Sequence, residues 1–81
     1  MHSNDYRYLE KISRDFLLTI KRDNYNINEI NNYLSTFSDF DDDIASKIRM
    51  NLKKNEIDYM KINDLIEELK NNVLVDIREH N

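Results

Sequence analysis

Asp39, Asp41, Asp42 and Asp43 place four carboxylates within five residues, the densest group of potential ligands in the chain. The spacing Asp39-x-Asp41-x-Asp43 matches the first half of a calcium-binding loop. The second half does not follow. Ile44 stands where such a loop needs glycine for its sharp turn, and Met50 where it needs the closing bidentate Glu. No metal site is therefore expected. Carboxylates also suit the start of a helix, where free N–H groups and the positive end of the dipole stabilise each by roughly 0.3–1 kcal/mol. A third use is docking onto a basic protein surface, which would relieve the repulsion among four like charges.

Other groups with catalytic potential are scattered. His2 and His80 both lie within two residues of a chain end, and there is no Cys to act as a nucleophile. Ser3, Ser13, Ser35, Ser38 and Ser46 have no His near them in sequence. Asp64, Glu67 and Glu68 share a short stretch, but paired carboxylates need a cleft to work in. The chain therefore reads as a non-enzyme, with no catalytic residues and no cofactor. Lys47, Arg49, Lys53, Lys54 and Lys61 form a basic run that could meet phosphate, with Asp58 and Asp64 close enough to oppose it. Nucleic acid is thus a possible partner but not the favoured one. The five tyrosines are half polar and half apolar, which suits interfaces. Tyr6 and Tyr8 join the four aspartates as the candidate partner-binding residues.

Composition narrows the elements that could carry these groups. The 81 residues include no Gly, Pro, Cys or Trp. Thiol chemistry, zinc ribbons and disulfide scaffolds are excluded, as are glycine-rich phosphate loops. Hairpins lean on Gly-containing turns, so an all-β fold is disfavoured. The net charge of −4 belongs to the Asp cluster, because the other twelve acidic residues equal the twelve Lys and Arg. There is no basic segment followed by an apolar run, and the longest apolar stretches are Phe16-Leu17-Leu18 and Val73-Leu74-Val75. A cytoplasmic protein with no membrane partner is expected. Twelve Asn and ten Ile point to an AT-rich coding sequence, as in a low-GC bacterium, a phage or a large DNA virus.

Helical periodicity covers most of the chain. Leu9, Ile12, Phe16 and Ile20 recur at three and four and predict a helix over 5–22, with Ser3 or Asn4 as its cap and Lys21-Arg22 at its negative end. A break follows at 23–26, where Asn can take the left-handed conformation that Gly would otherwise supply. Asn26 then caps a helix over 27–37. Ser38 or Asp39 opens a third, over 39–54. From there two readings compete. Ile48, Leu52, Asn55, Tyr59, Ile62, Ile66 and Leu69 alternate at three and four, as in one long helix with Asn55 in its seam. The alternative breaks the helix near 54–58 and resumes it over 57–78. It is favoured by Ile44, Met50, Ile57, Met60 and Leu65, which a narrow seam would leave in water.

The stretch Leu9 to Leu52 has an early Leu, an apolar helix, an Asn-rich break, then Asp41, Ile48-Arg49 and Leu52. It resembles the small all-helical enterobacterial regulators of biofilm and acid resistance. The glycine usual in that family's break is missing, and Asn55 to Asn81 lie outside the likeness. The resemblance implies a small dimeric regulator working through protein contacts.

The expected fold is a single all-α domain, a small bundle of three to four helices. Below roughly 80 residues one core seldom supplies more than ~3–5 kcal/mol, so a homodimer is expected. Ile48, Leu52, Tyr59, Ile62, Ile66 and Leu69 are the candidate dimer or core seam. The expected function is that of a small regulatory or adaptor protein that binds another protein. One alternative is a phage- or plasmid-type inhibitor or immunity protein, setting its acidic patch against a basic site. Another is a small DNA-binding regulator.

Overall fold

The apolar stripes assemble into four helices: α1 (Ser3–Ile20), α2 (Ile27–Phe40), α3 (Asp42–Leu52) and α4 (Tyr59–His80). The structure is a computed structural model that describes residues 3–22 and 25–80, and side chains over 4–22 and 25–79. Among the described residues there is no strand, and the β-branched run Val73–Val75 is helical. The principal contacts run α1 with α2, α2 with α3, α3 with α4, and α4 back to α1. The bundle is therefore a ring of helix neighbours. No described helix is long and apolar enough to cross a membrane.

One core fills the ring. Leu9, Phe16 and Ile20 come from α1, Ile30, Leu34 and Phe37 from α2, and Ile44 and Ile48 from α3. α4 brings Ile62, Leu65, Ile66, Leu69, Val73 and Ile77. Phe16 meets Phe37 edge-on, ring centroids 5.2 Å apart, and Tyr33 at 5.7 Å. Edge-to-face geometry sets the positive ring edge against the negative face and adds roughly 0.5–1.5 kcal/mol per pair to simple burial.

Asn26 caps α2 as its position predicts, whereas the other helix ends are made differently from the expectation. No described residue has a positive φ, so left-handed Asn is not what ends the helices there. Asn24, one of the residues on which that reading rested, lies outside the described residues. The described breaks use side-chain caps instead. Asn26 is extended (φ −81°, ψ 126°), and its side-chain oxygen accepts from the Asn28 N–H at 2.8 Å. α1 already includes Ser3 and Asn4, so neither caps it from outside, and it ends at Ile20, before Lys21-Arg22.

The third helix does not begin at Ser38 or Asp39. Both residues lie inside α2, which continues to Phe40, and the corner is Asp41 alone. Continuing the helix keeps Phe37 in the core and lets Phe40 pack partly against it. Asp41 then serves both helices. Its N–H donates to the Phe37 carbonyl at 2.9 Å, closing α2, while its carboxylate accepts from the Ile44 N–H at 3.2 Å, opening α3.

The long-helix reading is overturned. The chain breaks over 53–58, and Asn55 is exposed in that connection rather than lying in a seam. Asp58 starts α4: its carboxylate accepts from the Lys61 N–H at 3.1 Å. Inside the turn, Asn51 is only 3% exposed. Its side-chain oxygen accepts from the Asp58 N–H at 3.1 Å. The end of α3 thus holds the start of α4.

Candidate functional site

The seam candidates divide once the break resets the helical phase. Ile48, Ile62, Ile66 and Leu69 are fully or almost fully buried, and Leu52 packs partly against the same core. They belong to the interior of one copy and are not open to a second. Tyr59 is different. It is 41% exposed at the first position of α4, and its hydroxyl donates to the Ile20 carbonyl at 3.4 Å. The tyrosine closes α1 across the ring. The off-seam apolar residues divide as well. Ile44 and Leu65 are buried and Ile57 is half-buried, whereas Met50 is 69% and Met60 79% exposed.

The Asp cluster sits at the α2–α3 corner and is largely taken up in its construction. Asp41 is the shared cap. Asp42 accepts from the Ser38 hydroxyl one turn back in the chain. Asp43 pairs with Lys47 at 3.3 Å, both well exposed. Asp39 is exposed near the end of α2. Among the described residues, no group of three or more His, Cys, Asp or Glu is placed to hold a metal ion. Tyr6 lies half-buried against the core, while Tyr8 is 52% exposed on α1. The two tyrosines are therefore not equivalent surfaces. His2 and the His80 side chain lie outside the described residues.

Most of the remaining polar groups face solvent separately. Glu67 pairs with Lys70 at 2.9 Å, Glu68 is exposed, and Asp64 lines a shallow groove. That groove, about 260 Å³, lies between α1 and α4 and is lined by Leu17, Lys21, Tyr59, Met60, Asn63 and Asp64. A second, about 220 Å³, lies between α3 and α4 and is lined by Lys47, Met50, Asn51, Lys54, Lys61 and Leu65. The basic run is thus split across α3. Lys47, Lys54 and Lys61 ring the second groove, whereas Arg49 and Lys53 border a smaller cleft with Tyr25, Ile27 and Leu34.

The two larger grooves flank the start of α4: the exposed Tyr59 and Met60 line the one beside α1, and the exposed Met50 lines the one beside α3. The wider stripe that favours the break counts Met50 and Met60 among its apolar residues, and their exposure corrects that expectation. Apolar side chains beside lysines suit binding.

Comparison with protein-family models, curated proteins and solved structures finds no match to this chain. The resemblance of Leu9 to Leu52 to the enterobacterial regulators rests on those residues alone.

Proposed function

We propose that this chain is a non-enzymatic regulatory or adaptor protein that acts by binding another protein, in a cytoplasmic setting and as a homodimer. The observation that supports the proposal is the exposure of Tyr59 and Met60 in one lysine-bearing groove and of Met50 in another. Methionine is flexible and polarizable, so it adapts to a partner's surface. An apolar centre inside a charged rim is the common build of a protein interface.

The test is affinity capture from extracts of the native host, with wild-type chain beside Met60→Glu. A protein retained by the wild type and reduced about tenfold or more by Met60→Glu is the expected result. No retained protein, or equal retention by both, would sink the proposal. Met60 is too exposed to matter for folding, and circular dichroism would check this.

The inhibitor reading draws on one specific feature, the exposure of Asp39, Asp42 and Asp43 on a single corner. Replacing those three by Asn, with Asp41 kept as the cap, should abolish capture under that reading and leave it unchanged under the first. The DNA-binding reading draws less support, because the basic residues divide between two sides of α3. Affinity for random duplex DNA that falls steeply with salt would revive it.

A further inference from the structure

We infer that the exposed face of α3 is a self-complementary docking surface, and that its occupant is the α3 of a second copy running antiparallel. The inference rests on the protein-binding proposal and names one partner for the α3–α4 groove.

Along α3 and into the following turn, Asp43, Lys47, Met50 and Lys54 recur at intervals of four, three and four, so they line one side of the helix. All four are exposed. Charge is ordered along this line. The acidic end is Asp43, with Asp42 and Asp39 beside it, and the basic end is Lys54, with Lys61 across the groove on α4. Asp43 and Lys54 are eleven positions apart, the first nine of them steps of α3, about 14 Å of helix. Helix capping alone accounts for acids at the start of a helix and bases at its end. It does not account for Met50, 69% exposed within the stripe, or for the apolar groove that Met50 forms with Leu65.

A closed dimer must present the same patch on both copies, so that each contact occurs twice. An antiparallel pair meets this condition. Its two-fold axis crosses α3 midway between Asp43 and Lys54, near Ile48 and Arg49. Asp43 of each copy then faces Lys54 and Lys61 of the other, while Met50 of each copy lies over the Lys47 stem of the other, beside the axis. In a parallel pair Asp43 would face Asp43 and Lys54 would face Lys54, which is repulsive at both ends. The end charges therefore favour the antiparallel over the parallel direction, with each Lys47 held by its own Asp43.

Sedimentation equilibrium on the purified full chain, from micromolar to millimolar, tests this with charge-swapped variants. The wild type should dimerise. Asp43→Lys and Lys54→Glu should each weaken the dimer roughly tenfold or more, because each change makes two symmetric contacts repulsive. Mixing the two single variants should restore a dimer containing one copy of each, and the double variant D43K/K54E should dimerise with itself. Circular dichroism confirms that each variant is folded. Met50→Lys, which leaves the caps untouched, should also yield monomer. A wild type that stays monomeric at millimolar concentration would overturn the inference, as would dimers indifferent to both swaps or a mixture that fails to pair. A monomer that still captures a host protein through Met60 would end the second-copy assignment and leave the protein-binding proposal standing. A dimer that captures nothing would do the reverse.

Discussion

At the scale of single residues, two buried polar side chains in helices have opposite consequences. Asn51 is satisfied: its oxygen takes the Asp58 N–H and pins the turn between α3 and α4. Replacing it by Ala would leave that N–H without its partner and open a gap. Asn51→Ala should cost about 1–3 kcal/mol in urea denaturation. No loss would mean that the bond does not hold the turn. Ser13 is the other case. Its hydroxyl is buried in α1 and finds no hydrogen-bond partner. Ser13→Ala removes that group and adds helix propensity, so it should raise stability by about 1 kcal/mol. A fall in stability would show that the hydroxyl is satisfied in solution. Neither residue stood out in the sequence. Asn51 lies one position before Leu52, off the repeat that drew attention to Asn55. The choice between the two asparagines depends on a bond to a residue seven positions on, which periodicity does not encode.

At the scale of elements, helix stripes were legible, as was the Asn26 cap of α2, and most other helix ends were not. Phe16, Ile30, Ile48 and Ile66 reach the interior as their spacing predicts, because a three-and-four repeat leaves only one side of a helix to bury. The corner at Asp41 was misplaced. Ser38, Asp39, Asp41 and Asp42 are all acceptable caps, and only the need to bury Phe37 and seat Phe40 selects among them. The candidate site was less legible still. The Asp cluster drew attention by density, yet Asp41 and its neighbours largely build the corner, while Met50 and Met60 became conspicuous only once their exposure was known. Because the Asp41 carboxylate caps α3, Asp41→Ala should destabilise by about 0.5–2 kcal/mol, with Asp41→Asn retaining most of the stability. Thermal melts followed at 222 nm would check this. Equal loss in both variants would show that the side-chain oxygen is not the capping group.

At the scale of the whole molecule, the order of packing has a consequence in time. Three of the four principal helix pairings join elements adjacent in the chain, and only α1 with α4 requires a distant closure, marked by the Tyr59 hydroxyl on the Ile20 carbonyl. Chains dominated by local contacts lose little loop entropy before contacts begin to form. Helical bundles of this kind fold in microseconds to milliseconds. The absence of proline removes the commonest source of a slow step, since there is no X–Pro bond to isomerise over tens of seconds. Rapid-mixing or temperature-jump refolding of dilute monomer should therefore be complete within about 10 ms, in a single phase. A second-order phase that quickens with protein concentration would then report association of two copies, cleanly separated from the folding of each.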